Sequence, residues 1–213
     1  MALFHKQPQV SDPVNYFSLG LNKMLLIVGL GNIGKEYDGT RHNVGFAAVE
    51  EFVRRSDLGS WTDKKDLKCQ LASGQLGDTR VHVIKPTTFM NLSGEAVQAV
   101  AQFYKIPTQH ILVVHDELDI DFGQIRTRVG GSSAGHNGIK SVSKLLGDDN
   151  YGRVRIGIGP KTPPQIDSAD FVLQKFSKDE QANMPALLKE ASAIISEFAY
   201  GSPLQAETRS FLF

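Results

Sequence analysis

The 213-residue sequence holds a single cysteine, Cys69, so no internal disulfide can staple the fold. That thiol lies in an apolar, strand-like stretch and reads as an inert structural residue. Net charge is missing too: 23 basic and 23 acidic residues cancel, which argues against a histone-like polyanion binder and leaves only local charge to examine. No run approaches the roughly 18 apolar residues of a membrane helix. Residues 1–23 lack a signal-peptide apolar core and contain no arginine, which disfavours a mitochondrial transit peptide. A cytoplasmic protein without a membrane partner is the simplest reading.

What is present is ordinary globular usage, 41% hydrophobic and 22% charged, in a chain long enough for one buried core. Residues 1–23 are polar, carry Pro8 and Pro13 and show no period. They are expected to be a disordered N-terminal extension, with Met24 as the natural start and residues 24–213 as the catalytic domain; the intact mass of the native product tests this. Met24 to Val28 is a buried-strand run. Helices are expected from about Asn43 to Arg55, from Ser93 to Tyr104 and after the Gly130–Gly135 loop, the last with Asn137 as a candidate N-cap and Gly147 as its stop. Strands are expected at Cys69–Ser73, Arg80–Ile84, His110–His115, Gln124–Val129 and Arg153–Gly159. Ser177-Lys178-Asp179-Glu180 fits a capping box before a long helix to about Ala199, and Ser202-Pro203 suggests a short terminal helix. The alternation implies one α/β domain, with a mixed, mostly parallel twisted sheet and helices on both faces.

Gly29-Leu30-Gly31-Asn32-Ile33-Gly34 after the first strand has the spacing of a dinucleotide-binding turn, but Tyr37-Asp38-Gly39 intervenes before the helix and the next strand ends in Ser73-Gly74 rather than an acid. The surroundings of the turn carry more: Asn32, Tyr37 and Thr40-Arg41-His42-Asn43 share one loop. A neutral imidazole takes a proton from water near pH 7 if a partner fixes its tautomer. Asp116, just after an apolar strand and near the carboxyl edge of the sheet, is a plausible partner for His42, although spacing alone does not show that they meet. The bland readings are a helix-start histidine bonded to backbone and a turn acid. Asn91 and Asn137 offer both a donor and an acceptor without charge, which suits recognition of a peptide amide; each also suits helix capping.

Several blocks in order resemble the bacterial-type peptidyl-tRNA hydrolases: Val28 to Tyr37, Thr40 to Asn43, Lys85-Pro86-Thr87-Thr88-Phe89-Met90-Asn91-Leu92-Ser93-Gly94, His115-Asp116-Glu117-Leu118-Asp119 and Gly135-His136-Asn137-Gly138. The likeness continues through Arg153 to Gly159 and Asp170 to Leu173. It implies a monomeric, metal-independent esterase, without a cofactor, that recycles tRNA from prematurely released peptidyl-tRNA. By position it implies that His42 is the catalytic histidine, Asp116 its partner, and Asn32 a group that orients the reaction. Tyr37, Asn91, Asn137, Phe89 and Met90 would bind substrate. Ile33 stands where the family often has proline and Ala134 where it often has glycine, which bears on loop stiffness and not on reactive groups.

For tRNA, Arg126 and Arg128, and likewise Arg153 and Arg155, sit at i, i+2 on strands and so share a face. Phe122 to Gly147 contains four basic residues, including Lys140 and Lys144, and no acid. The resemblance implies phosphate contacts from Arg126, Arg128, Lys140 and Arg155; a merely solvated basic face is the alternative. A nicotinamide oxidoreductase and a non-catalytic RNA-binding module are the competing functions. A metal hydrolase is disfavoured because His42, His82, His115 and His136 show no ligand-pair spacing on one helix.

Overall fold

Alternate residues of Lys23–Gly29 (β1) bury on opposite sides: Leu25 and Ile27 join one apolar cluster, Leu26 and Val28 another. A strand apolar on both faces is stable only at the centre of a covered sheet. In this computed structural model, which describes residues 23–210, β1 has that position. The expectation for the N-terminal extension lies outside the described residues apart from Lys23.

The other strands are Thr62–Lys64 (β2), Cys69–Leu76 (β3), Thr79–Pro86 (β4), Ile111–Asp121 (β5), Gln124–Val129 (β6), Gly152–Gly159 (β7) and Thr208–Ser210 (β8). They form one sheet in the order β2-β3-β4-β1-β5-β7-β6-β8. The central strands β4, β1, β5 and β7 run parallel, and the flanking pairs on both sides are antiparallel. Helices Val44–Arg55 (α1) and Lys178–Ala199 (α5) cover one face with Phe52, Leu187 and Ile194; Ser93–Tyr104 (α2) and Asn137–Leu146 (α3) cover the other with Val97, Val100 and Ile139. A short helix, Ser168–Val172 (α4), precedes α5. The expected mixed sheet with helices on both faces is therefore what forms.

Local signals explain most boundaries. Ser177 and Glu180 make both hydrogen bonds of the capping box that starts α5, and Gly147 ends α3 in the left-handed conformation at φ 69°. Three expectations need correction. The N-cap of α3 is His136, whose side chain accepts from the backbone N–H groups of Gly138 and Ile139, so Asn137 is already helical. After Ser202-Pro203 no helix forms; Leu204 packs on the core and Thr208–Ser210 pairs with β6, satisfying a strand edge that a short helix would leave bare. Finally, β5 does not stop at His115. It continues beside β7 through Asp116 and Glu117, so Asp116 is a strand residue and not a turn acid.

That continuation shapes the site. β1 ends at Gly29, opposite Val114, while β5 runs on to Asp121, leaving a step at the carboxyl edge of the sheet. The glycine turn and the start of α1 fill part of the step at very close range: a Cβ on Gly45 would lie 2.5 Å from the carbonyl oxygens of Leu30 and Val114. Only glycine lets α1 approach so near.

Candidate active site

The segment between β1 and α1 is nearly devoid of regular structure. It holds two 3-10 turns, Lys35–Tyr37 and Arg41–Asn43, and the helix begins only at Val44. The dinucleotide-binding arrangement, in which a helix begins directly after the glycine turn, is therefore not made. Instead Asn43, which sequence reasoning left without a role, ties the two loops together. Its Oδ1 accepts from the backbone N–H of Asn32 at 2.8 Å and its Nδ2 donates to the Asn32 carbonyl at 3.0 Å.

Asn32 in turn accepts from the Met90 N–H through Oδ1 at 2.8 Å. Because an N–H can only donate, this bond fixes which end of the amide is which, and Nδ2 is what Asn32 offers the crevice it lines.

His42 Nδ1 lies 2.8 Å from Asp116 Oδ1, with both side chains buried. The fold thus brings together the two residues whose meeting spacing could not establish. Asp116 has a second imidazole: His136 Nε2 is 2.9 Å from the same Oδ1. Since His136 Nδ1 accepts from two backbone N–H groups, at 3.1 and 3.2 Å, its proton must sit on Nε2 and point at Asp116. Burial alone would raise the Asp116 pKa, but the two imidazoles outweigh it and hold the carboxyl well below the usual range. An ionised Asp116 then requires Nδ1–H on His42, which leaves His42 Nε2 as the lone-pair nitrogen. His115, adjacent in sequence, does not contact the Asp116 carboxylate: its Nδ1 lies 2.7 Å from the Asp116 backbone carbonyl and its ring packs edge-to-face with His136 at 4.8 Å. It is fully buried with Nε2 unpartnered, and burial, reinforced by the nearby His136, keeps it neutral.

His136 stood out in the sequence within Gly135-His136-Asn137-Gly138 and among the histidines weighed as metal ligands, but not as a partner of Asp116. Its two roles, N-cap and partner to Asp116, have no signature in spacing. Although no helix carries a ligand pair, atoms of His42, Asp116 and His136 gather from separate elements within 4.8 Å, close enough to hold a metal ion. Their chemistry does not fit one. Coordination through His136 Nε2 would require Nδ1 to carry the proton, which would then face two backbone N–H donors.

These residues floor a crevice of about 600 Å³ whose walls include Phe89, Met90, Asn91, Leu118, Asn137, Val172 and Leu173. Asn91 and Asn137 are both exposed, on the turn before α2 and at the start of α3, two segments that pack against each other. Phe89, 54% exposed at the crevice edge, offers apolar surface that a bound ligand would cover. Tyr37 is outside the lining and reaches it through Phe89, packed edge-to-face at 6.4 Å. Asp167, Ser168, Ala169, Val172 and Leu173, mostly on α4, add a further wall; the family resemblance covered Asp170 to Leu173, but none of these residues was expected to bind substrate.

Beside the crevice, Arg126 pairs with Arg155 and Arg128 with Arg153 across β6 and β7, placing four guanidinium groups on one face. Among the described residues their only ion pair is Arg155 with Glu117, at 2.9 Å, and Glu117 itself lines the crevice. Arg153 is 2% exposed, donates from Nη1 to the Ser132 carbonyl, and keeps Nε and Nη2 without partners; Arg126 Nε is likewise unpartnered. Lys140 stands apart on the exposed side of α3.

The profile of the peptidyl-tRNA hydrolase family matches residues 26–211. A peptidyl-tRNA hydrolase of Bdellovibrio bacteriovorus is 43% identical over 186 residues, 87% of this chain and 98% of that protein. One of Corynebacterium efficiens is 46% identical over 173 residues, covering 81% and 94%. The crystal structure of peptidyl-tRNA hydrolase from Acinetobacter baumannii superposes with a TM-score of 0.77 at 34% identity, covering 86% of this chain and 92% of that one. Among the described residues no helix is long and apolar enough to cross a membrane.

Proposed function

This chain belongs to the peptidyl-tRNA hydrolase family, which makes it a hydrolase of the peptidyl-tRNA ester bond, and from that premise we propose that His42 is the general base that activates water for the cleavage. The observation that carries the reading is the buried His42–Asp116 contact at 2.8 Å, which holds the imidazole by Nδ1 and turns Nε2 to the crevice. Water attacks the ester carbonyl as Nε2 takes its proton, and Asp116 stabilises the imidazolium so formed. The Asn32 amide donates to the developing oxyanion. The tRNA 3′ alkoxide leaves and receives a proton, and no serine, cysteine or cofactor takes part.

Asn91 and Asn137 recognise the amide that distinguishes peptidyl-tRNA from aminoacyl-tRNA, whose free ammonium neither side chain neutralises. Phe89, Met90 and Tyr37 receive the peptide. Arg126, Arg128, Arg155 and Lys140 hold tRNA phosphates, a sequence-independent contact that weakens as salt rises. The protein acts as a cytoplasmic monomer through residues 24–213. The decisive experiment compares release of tRNA from N-acetyl-aminoacyl-tRNA and from unblocked aminoacyl-tRNA, by wild type and His42→Ala, in EDTA. Rapid release confined to the blocked substrate and lost in the variant is expected. Comparable release by both proteins would remove His42 from the chemistry, and inhibition by EDTA would bring a metal back into it.

A further inference from the structure

The catalytic histidine sits on a weak element. Arg41–Asn43 is a three-residue 3-10 turn without a side-chain N-cap, too short to hold a rotamer by its own hydrogen bonds. Asn43 secures one end. At the other end Arg41, only 7% exposed, carries the densest set of long-range contacts in the loop. Its backbone N–H donates to the Gln174 carbonyl at 2.9 Å. Its guanidinium grips Glu180 in a fork, Nη1 to Oε1 at 2.8 Å and Nη2 to Oε2 at 2.7 Å, and Nη1 also reaches the carbonyl of Ile158. The same plane lies over the rings of Phe171 and Phe176, 4.5 and 4.8 Å from their centroids.

We infer that Arg41 and Glu180 form a positioning pair that sets the reach of His42 Nε2 into the crevice and ties it to the crevice wall formed by α4. Neither residue lines the crevice, so their action is indirect. Three features support a positioning function beyond simple cohesion. The peptide bond joining Arg41 to His42 leaves no slack between the clamp and the base. Phe171, under the guanidinium, is followed directly by Val172 and Leu173, which line the crevice. Glu180 closes the α5 capping box by accepting from the Ser177 N–H at 2.7 Å, so the fork is mounted on the capped N-terminal turn of α5 and its carboxylate is held from a second side. A small displacement at a base costs rate far more than affinity, which gives the pair a kinetic signature.

The inference rests on His42 being the base, so wild type and His42→Ala run in the same assay. Glu180→Gln is the cleaner variant, because glutamine still serves a capping box while the charged fork is lost. Under single-turnover conditions with N-acetyl-aminoacyl-tRNA, its rate should fall about tenfold, with half-saturating enzyme concentration within about twofold of wild type. Arg41→Ala should lose more, and methylguanidinium should restore part of its rate by refilling the slot between Phe171, Phe176 and Glu180, whereas methylammonium, lacking the planar fork, should not. If Arg41→Ala fails to fold, Glu180→Gln decides alone. A Glu180→Gln rate within about twofold of wild type, with only the melting temperature lowered, overturns the inference, as does a loss confined to half-saturation. Full activity in His42→Ala would instead overturn the reading of the base.

Discussion

Two neighbouring corners of the β5–β7 region handle charge in opposite ways. At the catalytic corner one carboxylate, Asp116, receives two imidazoles on a single oxygen, and each histidine has its tautomer dictated by a bond to the other ring nitrogen or to the carboxylate. On the β6–β7 face four arginines share one carboxylate, stand directly opposite one another across the strands, and leave buried N–H groups unmatched. Like charges placed face to face across a ladder are destabilising, and a buried unpaired donor costs about 1–3 kcal/mol. At the first corner both Asp116 contacts match a donor to an acceptor, although His115 Nε2 and Arg41 Nε stay unpartnered. The second gathers four cationic side chains around one carboxylate, which is why the phosphate-binding proposal attaches to it.

The sharpest way to break the comparison is at the catalytic corner. His42→Ala should lower the single-turnover rate by about 10² to 10⁴ while tRNA affinity is retained. A matching loss of affinity, seen by filter binding, would mean that the histidine is holding the loop together.

His136→Asn separates the two duties of its residue, since asparagine still caps a helix. With one charge-assisted bond to Asp116 worth about 1.5 kcal/mol, the rate should fall about tenfold with little change in helix content by circular dichroism. An unchanged rate would make the second imidazole dispensable.

On the β6–β7 face, Arg128→Ala should leave the rate at saturation alone, weaken tRNA binding several-fold and reduce the slope of log affinity against log salt by about 1. A slope equal to that of wild type would take this arginine out of the interface.

Acidification tests the comparison most gently. The Asp116 pKa is depressed in the fold, so its contribution to stability is present above the ordinary carboxylate value near 4 and is lost as pH falls toward the folded value. Urea midpoints measured from pH 5 to pH 2 should therefore fall less steeply for Asp116→Asn than for wild type, and parallel slopes would contradict the linkage.

How much of this was legible in the sequence varied with the range of the interaction. The capping box at Ser177, the glycine stop at Gly147 and the apolar run of β1 are local, and each marked its element correctly. The extension of β5 through Asp116 was not legible, because a run of Asp and Glu lacks strand propensity and is held extended only by pairing with β7. The terminal helix failed for a related reason: the edge of β6 needed a partner, and residues with no strong preference supplied it. In the site, His42, Asp116 and Asn32 emerged from motif resemblance and residue chemistry. Their support did not. Asn43, His136 and Arg41 act through bonds to residues 11 to 139 positions away, a property of the fold and not of any window of sequence.

The unmatched arginines have a practical corollary for anyone who improves this protein by selection. Replacing Arg153 with a well-packed apolar residue would remove unpaired buried donors and ease repulsion from Arg128. Under the phosphate-binding proposal, a screen for heat resistance in the absence of tRNA would reward changes that thin this cluster, and variants that lost its exposed arginines would bind tRNA more weakly.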